Sequence, residues 1–194
     1  MYPKSFQKLI NHFASLPSVG PKMAERLVLY LFKQNLEKLE SFAESLENLK
    51  TDIRYCKKCF NISEGDLCSV CANPSREKKI ICVVEDPLDV IAIERTKRYS
   101  GIYHVLGGVL SPGQSSQNNL RFSELESRVK TDEIQEIILA TNPTTEGDAT
   151  ALYIQRLLRP YEIKVTRLAR GLSTGADLEH ADELTLSSAI MNRK

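Results

Sequence analysis

Five cysteines stand in a chain of 194 residues, and four of them are spaced for metal chemistry. Cys56-Lys57-Lys58-Cys59 is followed, eight residues later, by Cys68-Ser69-Val70-Cys71. Each Cys-x-x-Cys turns back so that two thiolates meet one ion, and two such knuckles complete a tetrahedral Zn²⁺ shell. All four ligands are protein groups, which leaves no position for a reacting water. The spacing therefore points to one structural zinc ion per chain, against the alternatives of a redox dithiol pair or unrelated cysteines. A site of this kind contributes on the order of 10–16 kcal/mol at neutral pH, enough to fold a segment with no core of its own. The fifth cysteine, Cys82, lies inside Ile80-Ile81-Cys82-Val83-Val84 and reads as an ordinary buried thiol.

Glu85 directly follows that apolar run, and Thr141-Asn142-Pro143-Thr144-Thr145-Glu146-Gly147 follows a later one. This arrangement resembles the Toprim domain of primases, topoisomerases and some nucleases. In that family a Glu after the first strand and an Asp-x-Asp after the third hold Mg²⁺ for phosphoryl transfer. Here Asn142 and Thr144 occupy the two Asp positions, while Glu146 and Gly147 are retained. Mg²⁺ favours anionic oxygens, and a neutral amide and a hydroxyl offer it little charge. The expectation is a catalytically silent site with no catalytic residue, in which Glu85, Glu146, Asn142 and Thr144 serve partner contact or local structure. Asp86, Asp89 and Asp148 are the nearby acids that could substitute. The competing reading is a Mg²⁺-dependent phosphoryl-transfer enzyme such as a small nuclease.

A third feature is Leu16-Pro17-Ser18-Val19-Gly20-Pro21, followed by Lys22, Ala24, Arg26 and Leu27, which resembles a helix-hairpin-helix. In that motif a tight turn containing glycine, here Gly20, aims the free N–H groups of the second helix at a nucleic-acid phosphate without reading bases. Lys22 and Arg26 are four residues apart, so they share a helix face and would add charge to the contact. Ser18 stands where the motif's first glycine is usual, and serine tolerates positive φ poorly. A plain turn in a helical bundle is the alternative. One hairpin binds weakly, so oligomerisation would be needed to place several on a strand. Arg167-Leu168-Ala169-Arg170-Gly171-Leu172-Ser173-Thr174-Gly175 could cradle a phosphate, but a solvated loop is the plainer reading.

The elements that must position these residues follow from periodicity. Phe6, Leu9, Ile10 and Phe13 form one helical stripe, and Ala24, Leu27, Val28 and Leu31 a second. Leu36, Leu39, Ala43, Leu46, Leu49 and Ile53 form a third. From Ile80, short apolar runs alternate with helical stretches. Strands are expected at 80–84, 102–106, 136–140 and 164–168, and helices at 88–97, 122–130 and 149–158. Such alternation predicts a mainly parallel, helix-covered sheet with ligands at the carboxyl ends of its strands. Ser111–Asn119 reads as a polar loop. Four modules result: a helical helix-hairpin-helix region (1–54), a four-cysteine zinc finger (55–78), an α/β Toprim domain (79–175) and a C-terminal tail (176–194) packing on its own or a neighbouring subunit. The fold class is α+β and multi-module.

Net charge is +1, which excludes a globally basic coat, but residues 1–79 carry 13 basic and 9 acidic side chains and the rest 13 and 16. Any polyanion contact is thus expected in the first part. No apolar run approaches bilayer length, and Lys4, Lys8, Asn11 and His12 interrupt the N-terminal apolar residues. A cytoplasmic protein without membrane contact is expected.

Together these features resemble the RecR family of bacterial recombination proteins over nearly the whole chain. The module order matches, as do the strings Ile81-Cys82-Val83-Val84-Glu85, Tyr103-His104-Val105-Leu106, Leu110-Ser111-Pro112, Ile138-Leu139-Ala140-Thr141-Asn142-Pro143-Thr144 and Leu178-Glu179. Two departures are Ser18 and the segment Gln114–Asn119, where the family usually carries a Gly-x-Gly-Pro loop. The resemblance implies a non-enzymatic mediator of DNA repair and recombination. It implies binding to single-stranded or junction DNA without sequence preference, and action with RecO and RecF to help load RecA. It further implies homo-oligomers, from dimer to tetrameric ring.

Overall fold

A computed structural model describes residues 2–111, 120–172, 174–175 and 177–193. The expected loop at 111–119, including the departure at Gln114–Asn119, lies outside the described residues except for Ser111. The chain forms two compact units, Met1–Ile53 and Arg54–Lys194.

The first unit contains α1 (Lys4–Ala14), α2 (Pro21–Phe32) and α3 (Leu36–Thr51). The stripes of α1 and α2 meet as expected: Ile10, Ala24 and Val28 are buried, with Phe6, Phe13, Ala14 and Val19 packed around them. Helix α3 is capped by the Asn35 side chain, which accepts the Lys38 N–H at 3.0 Å. Its expected apolar face is not buried. No residue of α3 is buried, Leu36, Leu46 and Leu49 are exposed, and Ile53 lies beyond the helix end. Periodicity formed the helix, but the unit is too small to cover it.

The second unit begins with β1 (Arg54–Tyr55) and β2 (Ile62–Ser63), an antiparallel pair the periodicity does not reveal, and the single turn α4 (Ser69–Ala72). It continues with β3 (Glu77–Val84), α5 (Pro87–Arg95), β4 (Gly101–Val105), α6 (Phe122–Thr131), β5 (Glu136–Leu139), α7 (Thr145–Leu158), β6 (Lys164–Arg167) and α8 (Glu183–Met191). The four long strands form one parallel sheet in the order β4-β3-β5-β6. All four expected strands and three expected helices are present, within a few residues of their expected ends. Ile81, Val83, Val84, Ile102, Val105, Ile137 and Leu139 are buried to 2% exposure or less. Continuous apolar runs are what a sheet covered on both faces requires.

The chain leaves β3 toward β4 and returns to place β5 on β3's other side. This reversal opens a crevice at the carboxyl ends of β3 and β5, where ligands of such sheets bind. Glu85 and Asn142 stand there.

His104, near the carboxyl end of edge strand β4, is fully buried. Its Nε2–H donates to the Arg121 carbonyl at 2.8 Å, and Nδ1 faces Arg128 Nη1 at 3.3 Å. Burial, and then the Arg128 charge, push its pKa down to about 3. The unfolded chain would take up a proton near pH 6.5 that the folded chain refuses. The contribution of His104 is therefore complete above pH 6.5 and is lost as pH falls from there toward 3. We expect unfolding free energy to fall by roughly 1 kcal/mol per pH unit across this window from this group. Urea titrations at several pH values should show a flatter slope in His104→Gln, and an unchanged slope would refute the assignment.

Candidate functional site

The four spaced cysteines converge. One sulfur from each of Cys56, Cys59, Cys68 and Cys71 lies within 4.8 Å of the others, and Cys59 Sγ and Cys68 Sγ are 3.4 Å apart. Tetrahedral zinc with Zn–S near 2.3 Å needs sulfurs about 3.8 Å apart, so the cluster fits that ion. Local structure explains the convergence. Phe60 takes a left-handed backbone (φ 63°) that turns the first knuckle, and its N–H bonds to the Cys56 carbonyl at 2.9 Å. Cys68 stands at the N-terminus of α4, which returns Cys71 to the cluster. Crowding couples the ionisation of these thiols, lowering the Cys68 pKa while raising those of Cys59 and Cys71, a repulsion that a bound cation would remove. Cys82 is separate: it is buried within β3, and burial pushes its pKa up to about 12.

The zinc finger is seated on the free edge of β4. The Val105 N–H donates to the Cys59 carbonyl at 2.8 Å. The Phe60 ring packs edge-on against His104, and the Arg121 guanidinium lies 4.7 Å from the centroids of both Phe60 and Tyr55.

In the hairpin, Ser18 adopts the left-handed region at φ 64°, so serine occupies the position that glycine would fill without strain. Gly20 does not use glycine's freedom. It is the extended N-cap of α2 (φ −79°), and a Cβ there would meet nothing within 4 Å. Pro21 opens α2, where its missing N–H costs nothing. Lys22 and Arg26 are both exposed, one turn apart, and neither forms an ion pair among the described residues.

In the strand-end cleft Glu85 accepts two hydrogen bonds from one residue, from the Asn142 backbone N–H at 2.6 Å and its Nδ2 at 2.7 Å. An aspartate at 142 would set a carboxylate against a carboxylate, so the amide is the side chain that fits. Gly147 completes the close approach: a Cβ there would collide with the Asn142 carbonyl and lie 3.0 Å from Glu85 Oε1. Thr144 is the N-cap of α7 and accepts the Gly147 N–H at 3.0 Å. Glu146 lies half-buried in the first turn of α7, where its charge suits the helix dipole.

The acids that could have substituted are also engaged. Asp86 and Asp89 form the capping box of α5. Asp148 bonds Arg170 and Arg167, and those two hydrogen bonds, Arg170's first, keep its carboxyl below the usual range. In the glycine-containing segment that begins at the end of β6, Arg167 and Arg170 thus both face an acid. A cleft of about 610 Å³ lies beside it, lined by Asn142, Arg167, Arg170, Leu184 and Ser188 among others.

Sequence reasoning missed Arg128. It continues the buried stripe Phe122, Leu125 of α6, and a charged residue on an apolar stripe was the available signal.

Elemental analysis should find one zinc per chain, lost in Cys56→Ser with Cys59→Ser. Chelation should lower the thermal midpoint by many degrees, since the finger has little core of its own. Zinc undiminished in the double variant would contradict the ligand assignment.

Comparison with known proteins matches four family models in the order of the chain. They are the RecR helix-hairpin-helix (residues 6–50), the RecR four-cysteine zinc finger domain (53–73), the Toprim domain (79–169) and the RecR C-terminal model (171–194). Recombination protein RecR of Clostridium perfringens is 47% identical over 193 residues, covering 99% of this chain and 97% of its own. That of Staphylococcus aureus is 47% identical over 193 residues (99% and 98%), and that of Chloroflexus aurantiacus 49% over 188 (96% and 92%). With its four-cysteine zinc finger, hairpin and Toprim sheet all matched, the chain belongs to the RecR family of recombination proteins.

Proposed function

We propose that the chain is a DNA-binding recombination mediator without chemistry of its own, working with RecO and RecF to help load RecA onto single-stranded DNA in the cytoplasm. The observation that carries the reading is the start of α2, where exposed Lys22 and Arg26 flank a helix N-terminus opened by Gly20 and Pro21. Free N–H groups and two cations on one face suit a phosphate of single-stranded or junction DNA and read no base. The absence of catalysis is argued from the cleft, where Asn142 takes both oxygens of Glu85 and Thr144 serves as a cap. No helix of the described residues is long and apolar enough to cross a membrane.

Self-association, from dimer to tetrameric ring, would multiply single weak hairpin contacts. It is supported by apolar side chains that each unit leaves uncovered. Phe32 is 73% exposed and Leu36 69% in the first unit, and Leu184 is 82% and Met191 79% exposed in α8. On this reading the modules are those bounded at 54, 78 and 175, with the tail covering its own or a neighbouring subunit.

If Lys22 and Arg26 each meet a phosphate, Lys22→Ala and Arg26→Ala should weaken binding to every DNA sequence. Each should flatten the salt dependence by about 0.7–0.9 log units of affinity per log unit of salt. Unchanged slopes in folded variants would move the contact elsewhere.

Glu85, at the end of β3, and Glu146, in the first turn of α7, are half-buried acids suited to a basic side chain of a protein partner. Glu85→Ala or Glu146→Ala should weaken RecO binding more than DNA binding, as titrations of both on one preparation would measure. Mg²⁺-dependent DNA cleavage that disappears in Glu85→Ala would overturn the reading in favour of an enzyme.

A further inference from the structure

Arg128 is 7% exposed, yet its Nε and Nη2 have no hydrogen-bond partner. A guanidinium does not deprotonate, so a buried one needs a counter-charge. The nearest carboxylate does not supply it well. Asp132 Oδ2 lies 3.7 Å from Arg128 Nε, beyond hydrogen-bond reach, and 3.0 Å from Lys58 Nζ. Asp132 is thus shared with a second cation.

His104, whose Nδ1 faces Arg128 Nη1 at 3.3 Å, brings no negative charge, and the neighbour that can is the zinc finger. Tyr103 C=O and Val105 N–H are successive outward-facing groups on the free edge of β4. Arg128 Nη1 donates to the first at 2.7 Å, and the Cys59 carbonyl accepts from the second at 2.8 Å. Arg128 and the first knuckle therefore sit side by side on one strand edge. Burial lowers the Arg128 pKa, while Cys71, Asp132, Cys59 and Cys56 act to keep it charged. Four thiolates on one Zn²⁺ carry a net charge of −2, because two of the four negative charges remain uncompensated by the ion. A buried cation beside them lowers the cost of holding that charge away from water.

We infer that Arg128 is the counter-charge of the zinc tetrathiolate and a determinant of how tightly the finger retains its metal. Arg128 is not one of the four clustered thiols; it is a positioning and charge-balancing residue reached from α6. The inference rests on the four-cysteine zinc finger, and zinc content of the unaltered protein tests that premise separately.

The experiment is competition for zinc between the full-length holoprotein and a metallochromic chelator, with the DNA-independent folding of each variant checked by circular dichroism. Arg128→Gln keeps a donor for the Tyr103 carbonyl but removes the charge, and Arg128→Lys keeps a charge. Loss of an outer-shell partner typically costs 10–100-fold in metal affinity. Arg128→Gln is expected to release zinc at about 10–100-fold less chelator, and Arg128→Lys to stay close to the unaltered protein. Asp132→Asn, which frees Arg128 and Lys58 from a competing anion, should retain zinc at least as well as the unaltered protein. Overlapping curves for Arg128→Gln and the unaltered protein would overturn the inference. So would equal loss in the Gln and Lys variants, which would mark a packing role. If Arg128→Gln does not fold, weakened retention in Asp132→Asn or Arg128→Lys would overturn it equally.

Discussion

The outer edge of β4 is the constraint on which the rest of the second unit depends. An edge strand presents unpaired backbone groups that must be satisfied or covered. Here two neighbouring groups are taken by different parts of the chain: Val105 N–H by the Cys59 carbonyl and Tyr103 C=O by Arg128 of α6. Those two bonds fix the zinc finger and α6 to the sheet at one place. Phe60, His104 and Arg121 then fill the space between them, with the His104 tautomer set by the Arg121 carbonyl. A finger with little apolar content is thereby built into a large core without contributing much to it.

At the carboxyl ends of β3 and β5 the problem is charge rather than unpaired backbone. The topology brings the residues after β3 and β5 together whatever their chemistry. Two carboxylates there would repel unless a cation joined them. The pairing of Glu85 with the Asn142 amide removes the repulsion by hydrogen bonding alone, and Gly147 leaves room for it. Around this pair, Thr144, Asp86 and Asp89 act as helix caps, and Asp148 is held by two arginines. Residue types suited to metal chemistry have been turned to closing helix ends and joining strands.

The first unit illustrates a different balance. Its buried core is three residues, Ile10, Ala24 and Val28, so most of the apolar side chains of α2 and α3 face outward. Such a surface is unusual for a free-standing domain and suits association. The same unit exposes the hairpin, where Ser18 accepts a left-handed backbone that glycine would adopt more easily. That strained turn sets the direction of α2 and so the face on which Lys22 and Arg26 stand.

Much was legible in the sequence because its signals are local. The cysteine spacing named the zinc ligands, since two short knuckles leave little freedom in what can meet. Apolar runs and stripes located four strands and six helices, because periods of two and of 3.6 residues report which side is buried. The turn at Ser18 and the shared helix face of Lys22 and Arg26 were visible for the same reason. What the sequence could not decide was which neighbour each polar group would find. Nothing local says that Glu85 meets Asn142, 57 positions away, rather than Glu146. Nor does it say that Arg128 reaches the edge of β4, or that the stripe of α3 finds no cover. Hydrogen bonds and counter-charges act over a few ångströms in space, and only the tertiary structure brings distant residues within that range.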